Sequence, residues 1–318
     1  MNRMAKEYSL VALITLAIVE AALRYYGYPS NAQKPVSLEG AFVSDATLGW
    51  RHSPGSRTYA STEHPGATFT VTFTDSGERT SGKAAAAEDA PEIGLFGCSF
   101  IEGFGLDDRD SPGWKLQEKL PKYHIHNYGT SGYGTYQSLL RMRELFPDIL
   151  GRKDSAVIYG FADFHTTRNI KTPLGQRTWD SQGTFPFCDA QACSSWSGKD
   201  MASPWLRVLR QTRIFSLAEN ALDTIRAHEA LKHSDEVTQE ILLAMQKEMI
   251  AHSTRLVIAP VVTLPQSWLT FFKEHQFEVA SCVSPAMNQS ELHLSDGHPN
   301  ARWTDLYTDC LASHIAHQ

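Results

Sequence analysis

From Glu92 onward short apolar runs alternate with helical stretches, and this rhythm constrains the fold more than any other feature of the chain. The runs at 92–97 and 156–161 have strand length, as does 255–262 (RLVIAPVV). Further strand candidates lie at 123–128 and 277–282. Residues 112–120, 136–146 and 219–252 read as helices, and 303–315 as a closing helix. Apolar strands separated by helices predict a parallel sheet covered on both faces. The expected fold is therefore α/β, a three-layer α/β/α sandwich around a parallel central sheet.

The chain ahead of that domain divides into two parts. Arg3 and Lys6 flank an apolar run, Leu10 to Val19, interrupted only by Thr15 and followed by Glu20, Ala21 to Leu23, and Arg24. A spanning helix needs about 20 apolar residues. Residues 1–26 thus read as an uncleaved signal anchor, a cleaved signal peptide or a buried amphipathic helix. The first two export the rest of the chain, and the basic flank favours an N-terminus on the cytoplasmic side. Residues 27–90 read as a linker and a small β lead-in: 27–45 is polar and contains Pro, 68–74 (TFTVTFT) alternates as a half-buried strand does, and 83–91 is a spacer. The main domain spans 91–318, with an inserted surface loop at about 172–203 rich in Gly, Ser, Trp and Cys. Over 318 residues, 20% charged and 42% hydrophobic content excludes a disordered chain and a multi-span membrane protein. A net charge of -6 offers no basic footprint, so no nucleic-acid partner is expected.

The five cysteines are Cys98, Cys188, Cys193, Cys282 and Cys310. Pairing Cys188 with Cys193 and Cys282 with Cys310 would leave Cys98 alone and would suit export. Four cysteines allow three connectivities, and five free thiols in a reducing compartment are the alternative. No second close Cys or His pair completes a zinc spacing, so no metal is expected.

The first core run leads directly into Gly97-Cys98-Ser99-Phe100-Ile101-Glu102-Gly103. Ligands of open α/β sheets bind outside the carboxyl ends of the strands, where Ser99 would stand. Near the other end, Asp296-Gly297-His298-Pro299-Asn300 precedes the closing helix. His298 can accept a proton from a serine hydroxyl, and Asp296 can hold the ring and stabilise imidazolium. Each segment alone also suits a plain turn. Together they place Ser, Asp and His in order on one scaffold. Cys98 is a second nucleophile candidate or a small buried apolar residue. His52, His124, His126 and His233 show no partner spacing and read as surface or satisfied core groups. Trp179, Trp196 and Trp205 could stack on a carbohydrate or simply pack.

These segments resemble the conserved blocks of the SGNH (GDSL-type) hydrolase superfamily over roughly residue 92 to the C-terminus. Gly97-Cys98-Ser99-Phe100 resembles the GDS motif, with Cys98 where Asp usually stands. Asn127-Tyr128-Gly129-Thr130-Ser131-Gly132-Tyr133-Gly134 resembles the second block, and Asp296 to Asn300 resembles the last. The lead-in is similar to a membrane-anchored bacterial subgroup, through the apolar run, Asp45…Leu48-Gly49-Trp50-Arg51…Pro54-Gly55 and Thr74-Asp75-Ser76-Gly77-Glu78-Arg79. The resemblance implies a flavodoxin-like sheet, a Ser99–His298–Asp296 triad, oxyanion donors at the N–H groups of Ser99 and Gly132, and no cofactor.

Two positions depart from the family pattern. The third block, Gly-x-Asn-Asp, reads Gly160-Phe161-Ala162-Asp163 here, and Ala162 carries no donor. Losing one oxyanion donor can cost about a hundredfold or more in rate. Asp163, His165 and Arg168 are candidate site-lining residues, with His165 or Arg168 as a substitute donor. The usual Asp-x-x-His spacing would put Ser295 in the Asp position. If the shorter Asp296-x-His298 spacing fails, Ser99 and His298 act as a dyad.

The implied function is a serine esterase of the cell envelope. It would be anchored in the inner membrane with its catalytic domain in the periplasm, or exported. Its substrate would be an acylated carbohydrate or another small ester, and O-acetyl groups on glycans fit. An O-acyltransferase using the same serine, or a non-catalytic glycan-binding scaffold, are the alternatives.

Overall fold

The computed structural model describes residues 3–31, 40–61, 63, 66–82, 86–145, 154–172, 184–189, 192–197 and 204–317. In chain order, the strands are β1 (Phe42–Asp45), β2 (Gly49–His52), β3 (Gly55–Ala60), β4 (Thr68–Phe73), β5 (Glu92–Gly97) and β6 (His124–Asn127). They continue with β7 (Ala156–Phe161), β8 (Thr184–Cys188), β9 (Cys193–Ser197), β10 (Arg255–Pro260) and β11 (Glu278–Val279). The central sheet has five strands in the order β11-β10-β7-β5-β6, all parallel. The expected run at 277–282 contributes only the two residues of β11.

The alternation of side chains along these strands builds two cores. Val157, Tyr159, Phe161, Leu256 and Ile258 point to one face, under helices Thr135–Leu145, Ser234–Ala251 and Gln266–Glu274. Ile93, Leu95, Ile158, Val257 and Ala259 point to the other, against helices Pro112–Lys119 and Ala301–Ala316. A strand buried on both faces has no polar side to alternate with, hence the continuous apolar runs of the sequence. The order reverses between β5 and β7, the switch point at which a doubly wound sheet opens a crevice.

The lead-in is built into the domain. β1 pairs with β2, and β3 with β4, each antiparallel. Arg79 then bridges to Asn127 at the outer edge of β6, its N–H donating to the Asn127 carbonyl at 2.8 Å. Residues 27–45, read as a linker, end in β1. The insert at 172–203 contains a hairpin rather than only surface loop. Its β8 and β9 are closed by the Cys188–Cys193 disulfide, and Phe185 is buried against Leu48, Trp50 and Tyr133. A second disulfide joins Cys282 to Cys310, and Cys98 is a buried free thiol. The helical stretch at 219–252 is two helices, Arg213–Lys232 and Ser234–Ala251.

An apolar helix, Arg3–Tyr25, precedes everything else. Its window Glu7–Tyr25, 19 residues of mean hydropathy 1.5, is long and apolar enough to cross a membrane, and none of that window is buried in the domain.

Arg79 is fully buried. Its guanidinium donates to the carbonyls of Glu102 (2.9 Å), Gly103 (2.5 Å) and Leu106 (2.6 Å), and Nε donates to Asp108 Oδ1 at 3.3 Å. Burial pulls its pKa down, against the opposing pull of Asp108 and Glu102. Removing one partner of a buried hydrogen-bonded charge typically costs about 3–5 kcal/mol. Arg79→Met is therefore expected to lower stability by about that amount, read as a fall in the urea midpoint with an unchanged m-value.

Candidate active site

Ser99 opens a one-turn helix, Ser99–Glu102, directly after β5. Gly97 makes the connection possible. It has φ +150°, and a Cβ there would lie 2.9 Å from both the Gly160 carbonyl oxygen and Ile101 Cγ1. The absent side chain lets Ile101 tuck over the strand ends and lifts Ser99 to the rim of the crevice. As the first helical residue, Ser99 has a backbone N–H without an intrahelical acceptor.

The loop before the closing helix brings the histidine in. Leu294 N–H donates to the His298 carbonyl (2.7 Å) and Gly297 N–H to the Leu294 carbonyl (2.9 Å), forming a tight turn with Gly297 at φ +88°. Asn300 then caps the helix, accepting from the N–H groups of Arg302 and Trp303. Within this turn the Asp296 carboxylate folds back on its neighbour. Oδ1 accepts from the His298 N–H at 3.0 Å, and Oδ2 lies 3.0 Å from His298 Nδ1, off the ideal hydrogen-bond axis. His298 Nε2 stands 2.9 Å from Ser99 Oγ. With the ring proton on Nδ1 facing Asp296, Nε2 is free to accept from the serine hydroxyl. Ser295 does not occupy the Asp position: its N–H and hydroxyl both donate to Glu63 Oε1, at 2.9 and 2.6 Å.

The loop carrying Gly132 is held from both sides. Glu102, on the helix that carries Ser99, is fully buried, and its Oε2 accepts from the N–H and the hydroxyl of Ser131, each at 2.5 Å. The Trp50 indole N–H donates to the Ser131 carbonyl at 3.0 Å. That carbonyl and the Gly132 N–H belong to one trans peptide and point in opposite directions. The indole of the lead-in therefore fixes where the Gly132 N–H is aimed. Arg168 adds a third brace, donating to the Tyr133 carbonyl at 3.1 Å while its guanidinium lies 4.7 Å from the Phe164 ring centroid. Burial alone would raise the Glu102 carboxyl pKa. His52, whose Nε2 is 3.4 Å away, the Ser131 donors and Arg79 outweigh it and hold the group below its ordinary value.

Of the other expected lining residues, His165 turns away from the crevice, whereas Asp163 is half-buried beside Phe164. His165 is fully buried and turned into the core, with Nδ1 2.9 Å from the Tyr159 hydroxyl and accepting from the Ala162 N–H at 3.3 Å. Burial, helped by the Arg168 charge, pushes its pKa well down and keeps the ring neutral. Asp163 accepts from the Phe164 N–H and lies close enough to Asp235 to help raise that carboxyl, after burial. Ala162 is itself fully buried. The Cys98 thiol is buried, and burial raises its pKa, which argues against a nucleophilic role. Of the tryptophans, Trp179 lies outside the described residues, as does the side chain of Trp196, and Trp205 is exposed on the helix Pro204–Leu209. Among the described residues no cluster of His, Cys, Asp and Glu could hold a metal ion.

Sequence reasoning missed the aromatic wall. Phe104 and Phe100 stand with ring centroids 4.6 and 5.7 Å from His298, and Phe100 meets Phe164 at 6.0 Å. It also missed Trp50 and Glu102 as supports. Their signals were present, since Glu102 sits three residues after Ser99 on one helical turn and Trp50 lies inside the Leu48-Gly49-Trp50 lead-in motif.

The chain is similar to a number of solved structures. Several belong to G-D-S-L lipolytic proteins and esterases. TesA is 11% identical at a TM-score of 0.43, matched over 71% of this chain and 98% of its own. The psychrotrophic esterase EstA from Pseudoalteromonas sp. is 13% identical at 0.43, over 71% and 97%. A G-D-S-L family lipolytic protein from Veillonella parvula is 10% identical at 0.43, over 72% and 100%. No family model matches the sequence, and no curated protein matches it. The chemistry of the site is accordingly read from its own geometry.

Two outcomes follow from the loop supports. Trp50→Phe frees the Ser131 carbonyl, so any turnover at Ser99 that relies on the Gly132 N–H should fall in kcat by about tenfold to a hundredfold with KM little changed. The depressed Glu102 pKa stabilises the fold above the ordinary glutamate value of 4.5, and that contribution is lost as pH falls through the lower folded-state value. Urea midpoints measured from neutral to acid pH should therefore decline less steeply in Glu102→Gln than in the parent protein.

Proposed function

We propose that the protein is a serine esterase that cleaves acyl esters through an acyl-serine intermediate. The observation that carries this reading is the line Ser99 Oγ–His298 Nε2 at 2.9 Å with the Asp296 carboxylate 3.0 Å from Nδ1. His298 takes the Ser99 proton as Oγ attacks the ester carbonyl carbon. The resulting oxyanion is received by the N–H groups of Ser99 and Gly132. Collapse of the tetrahedral intermediate breaks the bond to the leaving oxygen, which takes the proton from His298. Water, activated by the same ring, then releases the acid and restores the serine. No cofactor enters this sequence. With Ala162 in place of a side-chain donor, the oxyanion relies on backbone groups, and Arg168 is a cation braced against the same loop.

The aromatic wall of Phe100 and Phe104 suits an acyl group. A polar cleft of ≈ 580 Å³, lined by Glu63, Ser290, His293, Leu294, Ser295 and Gly297, opens beside the His298 turn. It suits a hydroxyl-rich leaving group, and an O-acylated glycan supplies both. The apolar helix anchors the protein in the inner membrane, and the two disulfides fit a domain on the oxidising, periplasmic side. An acyl-serine transfers to whichever hydroxyl reaches it, so an acceptor sugar in place of water would make the same site an O-acyltransferase.

A fluorophosphonate probe tests the proposal. The parent protein should label, and Ser99→Ala and His298→Ala should not. Asp296→Asn should retain labelling but lower kcat on p-nitrophenyl acetate by about a hundredfold or more. A folded parent protein that neither labels nor turns over would mark a non-catalytic scaffold. Acetate release with and without an oligosaccharide acceptor separates hydrolysis from transfer.

A further inference from the structure

Among the described residues, the end of the apolar helix is tied to the start of helix Arg213–Lys232. Glu20, at the end of its apolar run, places Oε2 2.8 Å from the Arg213 N–H and 3.0 Å from the Ile214 N–H, so it caps the first turn of helix Arg213–Lys232. A carboxylate at a helix N-terminus meets free N–H donors and the positive end of the dipole. The contact is reinforced just beyond the helix. Asn31 N–H donates to Ser216 Oγ at 2.9 Å, Asn31 Nδ2 to Glu219 at 2.7 Å, and Asn220 Nδ2 to the Tyr28 hydroxyl at 3.2 Å. The start of helix Arg213–Lys232 therefore lies level with the end of the apolar segment.

Immediately before it, helix Pro204–Leu209 carries Trp205, Val208 and Leu209 at 79%, 56% and 46% exposure. The spacing i, i+3, i+4 puts the three on one stripe. A tight turn joins this helix to the next, with Gln211 N–H donating to the Val208 carbonyl and Thr212 N–H to the Leu209 carbonyl. Four residues of chain reach at most about 14 Å, so Leu209 lies within that distance of the Arg213 cap. Tyr25 and Tyr26, exposed at 85% and 83%, stand at the end of the apolar helix, shortly after Glu20. Exposed Trp and Tyr next to a spanning segment are the side chains that favour the headgroup region, where one end of the ring is apolar and the other wet.

We propose that Trp205, Val208 and Leu209, with Tyr25 and Tyr26, form a lipid-contact surface that seats the catalytic domain against the outer headgroup layer of its own membrane. The occupant is the bilayer itself. The stripe lies within about 14 Å of chain reach of the Arg213 cap, and Glu20 holds that cap against the end of the apolar run. The surface turns a tether into a mount, so the domain has a set orientation on the membrane instead of swinging on residues 26–31. This inference rests on the anchor assignment above and is independent of the esterase chemistry.

The test uses the full-length chain reconstituted in vesicles of phosphatidylcholine and phosphatidylglycerol. The photo-reactive residue p-benzoylphenylalanine is installed in turn at Leu13, Trp205, Val208 and Lys273. Lys273 is exposed on helix Gln266–Glu274, apart from the stripe, and Leu13 lies in the apolar run. Illumination should give lipid adducts at Leu13, Trp205 and Val208, with yields at the two stripe positions roughly tenfold or more above Lys273. Yields at Trp205 and Val208 no higher than at Lys273, with Leu13 still labelled, would overturn the lipid-contact surface and leave the anchor intact. An unlabelled Leu13 would remove both. Protein–protein adducts at Trp205 in place of lipid adducts would make the stripe an interface between copies and also overturn the proposal.

Discussion

The Glu102 carboxylate joins the two halves of the candidate site. It sits on the helical turn that begins with Ser99 and accepts both donors of Ser131, so the nucleophile candidate and the Gly132 loop cannot drift apart without leaving a buried charge unpaired. A carboxylate removed from water is tolerated only when its oxygens are met by donors or cations. The charges of His52, 3.4 Å from Oε2, and of Arg79 favour the ionised carboxylate, and both residues come from the lead-in, while Oε1 itself has no hydrogen-bond partner. The site geometry is thus enforced by the cost of breaking a buried polar network, in addition to apolar packing.

The lead-in consequently acts as a buttress. Arg79 gathers the carbonyls of the loop from Glu102 to Leu106, which carries Phe104 towards His298. Trp50 orients the Ser131–Gly132 peptide, and Gln137 Nε2 returns the favour by donating to the Leu48 carbonyl at 2.8 Å. The disulfide-closed hairpin covers this second layer, with Phe185 stacked 6.5 Å from Trp50. A chain that began at β5 would lose the groups that hold the loops of the candidate site in place.

Legibility in the sequence followed the range of the forces involved. The core strands and helices were readable because burial on both faces imposes an apolar run, and an amphipathic helix imposes its own period. β11 was overestimated because an edge strand borrows only part of an apolar stretch, here Glu278–Val279. β1 was missed because a four-residue strand in polar sequence is made by its partner β2. The Cys188–Cys193 segment read as a loop because its hairpin is stabilised from outside, by Leu48, Trp50 and Tyr133. Ser99, Asp296 and His298 stood out because turn residues surround them at the ends of elements. His165 was misplaced because a histidine after a strand can face either the crevice or the core, and the Tyr159 hydroxyl and Ala162 N–H draw it inward.

By itself the sequence determined the local preferences: which runs must be buried, where turns fall, and that a serine and an Asp-Gly-His segment lie at opposite ends of one α/β unit. The tertiary structure decided what those ends do to each other. The 2.9 Å approach of Ser99 to His298 spans 199 residues of chain, and the aiming of the Gly132 N–H by Trp50 spans 81 to the Ser131 carbonyl. Such distances are set by how strands order in the sheet and how far a glycine lets a loop descend, which no local pattern encodes. The same holds for Glu20, whose carboxylate reads as an interruption in an apolar run until the fold sets the helix Arg213–Lys232 against it.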